Sequence, residues 1–132
     1  MITLPSVEPL PIVIAAVINV VIGMLWYSPA MFEKKWLKLS KLKKEKNPGK
    51  DNFAFWIISA FVLAYVLSHI VALTGAQTAT AGAAAGFLTW LLAAAVVVPV
   101  YVFESRARGL FWIYAGYQMV SFAVMGAVIA VL

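Results

Sequence analysis

Residues Ala79–Phe103, ATAGAAAGFLTWLLAAAVVVPVYVF, contain no charged side chain, and this run decides the class of fold. At ~1.5 Å rise per residue, a helix of that length covers the ~30 Å hydrocarbon core of a bilayer. Three further runs, Pro11–Met31, Phe53–Leu73 and Gly109–Leu132, are likewise free of Asp, Glu, Lys and Arg. The sequence therefore predicts an all-α, integral membrane four-helix bundle, a single domain over residues 1–132.

Composition agrees, with 64% hydrophobic and 11% charged residues, where soluble domains carry roughly 25% charged residues. No water-exposed surface can be built from that content. Cysteine is absent, which excludes disulfides and thiolate chemistry. There is no metal-ligand cluster, nucleophile–base pair or phosphate loop, so neither a cofactor nor a metal is expected, and the chain reads as a non-enzyme. No Asp or Glu lies within a span, so the usual coupling group of small proton-driven exporters is missing.

The charges sort by side. Every lysine lies in Lys34–Lys50, and both arginines, Arg106 and Arg108, lie between the third and fourth runs. The connection Thr74–Thr80 has no charge. By the positive-inside rule the two basic connections are cytoplasmic, and both termini and the Thr74–Thr80 connection face outward across the cell membrane. The net charge of +5 serves topology and anionic lipid head groups at Lys34–Lys50 rather than nucleic acid. The segment before Ile12 has no basic residue and includes Glu8, so the first run is expected to be retained rather than cleaved as a signal peptide.

Aromatic residues gather at the basic end, with Trp26, Tyr27 and Trp36 as interfacial anchors and Pro29 as a helix stop. Beyond it, Phe32, Trp36, Leu37, Leu39 and Leu42 alternate with lysines, the pattern of a short helix lying in the head-group region. Asn47-Pro48-Gly49 marks a turn, and Asp51 is placed to cap the second span.

Small residues mark where helices approach. Gly82 and Gly86 lie one turn apart on one face; Gly23 is a further packing position. In the last run, Tyr114, Tyr117, Gln118, Ser121 and Met125 share a face opposite Gly116, Ala123, Gly126, Ala127 and Ala130. Two specialised faces on one helix point to self-association or a partner in a larger membrane complex. The polar residues at membrane depth, Asn19, Ser68, His69, Thr89, Gln118 and Ser121, form a candidate seam. His69 is expected to point inward and bond Asn19, Thr89 or Ser121, because an unpaired imidazole in hydrocarbon is costly.

Gly23-Met-Leu-Trp-Tyr-Ser-Pro29, followed by Phe32 and Trp36, resembles a family of small four-helix membrane proteins of bacteria and archaea, with relatives in fungi, catalogued as a domain of unknown function. The likeness continues through Ala64-Tyr-Val-Leu-Ser-His69, Gly86-Phe-Leu-Thr-Trp90, Glu104-Ser-Arg106, Ala115-Gly-Tyr117 and Met125-Gly126. Glu33 stands where the family often has a small residue, and Ser105 where it commonly has glycine. The resemblance implies a fold and a topology and brings no established activity.

Three functions compete on this reading. The first is a structural, assembly or accessory membrane component. The second is a small channel or transporter lined by Asn19, His69, Thr89, Gln118 and Ser121; the third is an enzyme or lipid-binding protein using His69 or the basic segment. The topology is testable in this cysteine-free chain. A single cysteine at Gln77 should react with an impermeant maleimide added outside intact cells, and reaction only after permeabilisation would reverse the assignment.

Overall fold

The computed structural model describes residues 6–40 and 49–132. Five helices follow in order: α1 (Pro9–Trp26), α2 (Glu33–Ser40), α3 (Gly49–Thr74), α4 (Ala79–Phe103) and α5 (Arg108–Val131). Four of them, all but α2, are long and apolar enough to cross a membrane. The expected turn at Asn47-Pro48 and the lysines Lys41–Lys46 lie outside the described residues.

Several helix bounds differ from the sequence reading, two of them for a plain physical reason. The first long helix ends at Trp26 rather than Met31, because Pro29 has no N–H to give the Leu25 carbonyl. Ser28 fills that role, its Oγ donating to the Leu25 carbonyl at 2.6 Å and its backbone N–H at 3.2 Å. The Phe32 N–H then donates to the Trp26 carbonyl at 3.0 Å and closes the corner. Asp51 is not a cap: α3 already begins at Gly49, and Asp51 sits in its first turn, where its negative charge complements the positive end of the helix dipole.

α5 is the central helix, touching α1, α3 and α4 along its length and α2 at its start. Against α1 and α3 the interior is built from small residues, Ala15, Ala16, Ala60 and Ala64, with Leu67, Val71 and Met125 filling between them. Against α4 the approach is closer still. A Cβ built on Gly86 would fall on the Phe122 carbonyl, and one on Gly82 or Gly126 would fall on the other's carbonyl. These helices therefore touch backbone to backbone, which only glycine permits.

This placement removes the argument for self-association drawn from the two-faced α5. Its polar face meets α1 and its small-residue face meets α4 within one chain. Gly116 is an exception on that second face, lying under the Trp26 ring.

The outside of the bundle is apolar. Leu88, Leu92, Val96 and Trp112 are each 65–69% exposed, a surface suited to hydrocarbon rather than water. α2 is amphipathic: Lys34, Lys35 and Lys38 are exposed, whereas Trp36, Leu37 and Leu39 are half-buried. Leu39 lies against Gly109 at the start of α5, in space that a side chain there would occupy.

Gly86→Leu should destabilise the fold by about 3 kcal/mol or prevent folding, since backbone cannot yield to the added bulk; chemical or thermal unfolding in detergent measures it. Ser105 has φ of 53°, the left-handed region. Ser105→Gly should raise the melting temperature, and Ser105→Val should lower stability by about 1–2 kcal/mol.

Candidate functional site

The polar residues of the apolar spans assemble at the contact between α1 and α5. Asn19 is 1% exposed at the middle of α1. Its Nδ2 donates to Ser121 Oγ at 2.7 Å and to Gln118 Oε1 at 3.1 Å. The Tyr117 hydroxyl stands 2.9 Å from the Asn19 backbone carbonyl and 3.1 Å from its Oδ1, sharing its proton between them. Ser121 Oγ donates onward to Met125 Sδ at 3.4 Å, and Gln118 Nε2 to the Tyr114 hydroxyl at 3.3 Å. Every polar atom of the Asn19 side chain is thus used, as a buried amide requires.

The α5 register makes this work. Tyr114, Tyr117, Gln118, Ser121 and Met125 recur at intervals of three and four, so one α1 asparagine reaches three of them at once. Gly23, one turn along α1, makes room for the partners. A Cβ there would lie 2.9 Å from the Tyr117 hydroxyl and 2.7 Å from the Trp56 ring.

The rest of the expected seam stands apart. Ser68 Oγ donates to the Ala64 carbonyl at 2.8 Å and Thr89 Oγ1 to the Ala85 carbonyl at 2.8 Å, each closing a bond within its own helix. His69 does not bond Asn19, Thr89 or Ser121. It is half-buried, its ring is 4.7 Å edge-on from that of Tyr65, and both ring nitrogens are covered without a hydrogen-bond partner. Asn19, Gln118 and Ser121 bond one another across α1 and α5, and the imidazole on α3 stands outside that network.

Two tryptophans flank α5 in a way that composition did not foretell. Trp26 Nε1 donates to the Ile113 carbonyl and Trp90 Nε1 to the Ala115 carbonyl, both at 2.8 Å. Trp26 is therefore more than an anchor: its indole joins α1 to α5. The reason is general, since an indole N–H away from water must find an acceptor, and a helix carbonyl has a second lone pair to offer. Tyr27 and Trp36 meet edge-on at 5.5 Å, and Tyr27 meets Tyr117 edge-on at 6.0 Å, so the Trp26–Pro29 corner touches the polar clamp through ring contacts. Burial, reinforced by nearby tyrosines, pushes the pKa of the Tyr27 phenol up.

Tyr117 was not among the candidate seam residues, yet it is 2% exposed and central. The signal was present in its shared face with Gln118 and Ser121. Beside the clamp is a pocket of about 70 Å³ whose walls include Leu63, Trp90, Tyr114 and Gln118. Its volume is that of a water or two and too small for an organic substrate. Among the described residues there is no group of three or more His, Cys, Asp or Glu that could bind a metal.

The fold and this clamp define a class: a small apolar four-helix bundle locked at its centre by a fully paired asparagine. The chain belongs to the family described as Protein of unknown function (DUF1761), whose model matches residues 10–130. No curated protein and no solved structure matches it.

Asn19→Leu should cost about 2 kcal/mol, because it removes the side-chain bonds to Ser121 and Gln118 and leaves the Tyr117 hydroxyl only the backbone carbonyl of residue 19, each interhelical bond being worth roughly 0.6–2 kcal/mol. His69→Leu should change stability by less than about 0.5 kcal/mol, there being no bond to lose. Unfolding of both variants in the same detergent compares them directly.

Proposed function

We propose that this chain is a multi-pass protein of the cell membrane, both termini outside and both basic connections cytoplasmic, that acts as a structural, assembly or accessory component rather than as a catalyst or conduit. One observation carries the reading: the centre of the bundle is filled. Ala15, Ala16, Asn19, Leu67, Ser121 and Met125 are each no more than 1% exposed. A path for ions or solutes needs polar groups free to replace lost hydration. Here Asn19, Gln118 and Ser121 spend their hydrogen bonds on one another, and His69 and Thr89 lie outside their network.

Lateral association, with a second copy or with a larger membrane complex, would use α4. That helix is covered on its glycine face by α5, while Phe87, Leu88, Leu91, Leu92 and Val96 are exposed. In a bilayer such a face meets lipid or another helix at nearly equal cost, so association there is decided by shape and not by hydrophobicity. The lysines of α2 and the segment after it suit the anionic cytoplasmic leaflet.

Proteoliposomes containing the purified chain should pass potassium ions and protons no faster than protein-free vesicles. Flux that appears with the wild type and disappears with Asn19→Leu would replace this reading with transport. In nanodiscs, the mass of the particle reports association, and Leu92→Trp on the exposed α4 face should reduce any assembly seen without lowering the melting temperature.

A further inference from the structure

The α4–α5 hairpin is closed towards Thr78 by the glycine contacts and open at the opposite end, where a groove of about 650 Å³ runs between the two helices. Its inner walls are Val98 and Val102 from α4 with Phe111 and Trp112 from α5, and its mouth carries Arg106 and Arg108. Close contact at one end and large aromatic rings at the other, Tyr101 and Phe111 meeting edge-on at 5.5 Å, set this shape. The two arginines differ. Arg106 donates to Glu104 at 2.8 Å, and its guanidinium stands 5.7 Å from the Tyr101 ring centre, so its charge is met. Arg108 has no ion pair among the described residues and is exposed. Glu104, Arg106 and Arg108 together leave one positive charge unmatched at the head of an apolar groove.

We propose that this groove holds one anionic phospholipid, its phosphate at Arg108 and an acyl chain along Val98, Val102 and Trp112. Charge complementarity selects the occupant. An apolar helix laid there would cover Arg108 without a counter-charge, and a zwitterionic lipid would bring its own ammonium beside the arginines. Inorganic phosphate alone would leave the apolar walls uncovered. The volume lies in the range of small-ligand sites, ~300–1,000 Å³, enough for a head group and the upper part of one chain. This inference rests on the membrane reading above and adds to it a ligand class and the residues that bind it; the lysines of α2 are a separate, diffuse surface.

The full chain in mild detergent can be titrated with dioleoylphosphatidylglycerol, with dioleoylphosphatidylcholine and with inorganic phosphate, reading bound lipid by native mass spectrometry and stability by melting temperature. Phosphatidylglycerol alone should bind one per chain and raise the melting temperature. Arg108→Gln should weaken it about fivefold, the loss of one basic residue at a lipid surface, while Arg108→Lys should keep most of the affinity. Val102→Trp should weaken binding by standing in the path of the acyl chain, and combined Lys34→Gln, Lys35→Gln and Lys38→Gln should leave it unchanged. Arg108 is exposed, so its variants retain the fold and remain informative if Val102→Trp does not. Equal binding of the two lipids, stabilisation by phosphate alone, or unaltered phosphatidylglycerol binding in Arg108→Gln overturns the proposal. Failure of the membrane reading is seen separately, as release of the protein from cell membranes by alkaline carbonate.

Discussion

Backbone contact between α4 and α5 is the constraint from which the remaining geometry follows. Gly82 and Gly86 on one helix meet Phe122–Gly126 on the other so closely that no side chain fits between. In apolar surroundings helices gain little from burying more hydrocarbon, so close van der Waals contact and exposed backbone edges set which faces meet. With α4 fixed against the glycine face of α5, its polar face is turned to α1, and the Tyr117–Ser121 turn comes within reach of Asn19.

The second lock is polar, and its value lies in completeness. Asn19 has two donors and one acceptor on its side chain and uses all of them against α5. Such a network fixes rotation and depth of α1 relative to α5, because a slip of one residue would leave several buried groups unpaired at once. The indoles of Trp26 and Trp90 add a bond on either side of α5. Chemistry needs groups poised to change partners, whereas these are saturated, which is why the same residues that suggested a lining from sequence support a structural role in the folded chain.

The Trp26-Tyr27-Ser28-Pro29 corner joins the spans to α2. Proline ends the helix, serine takes over the orphaned carbonyl, and the rings of Trp26 and Phe32 pack at 4.9 Å. A signature that reads from sequence as an interfacial anchor is thereby also a joint, coupling α1 to α5 through Trp26 and placing Leu39 on Gly109.

The four apolar spans, their charge-free interiors and the Gly82–Gly86 face were legible in the sequence, because length, composition and 3.6-residue periodicity are properties of one helix at a time. Periodicity likewise grouped Tyr114, Tyr117, Gln118 and Ser121 correctly on one side of α5. What it could not supply was the rotation and depth of one helix against another, since these depend on contacts summed over whole faces. Hence Asn19 could be singled out but not matched to its partners, and His69, the one histidine of the chain, was placed in a network that α1 and α5 complete without it. The tertiary structure alone decided that α5 is central, that both of its faces are used within one chain, and that the polar centre of the bundle is an asparagine and a tyrosine rather than a histidine.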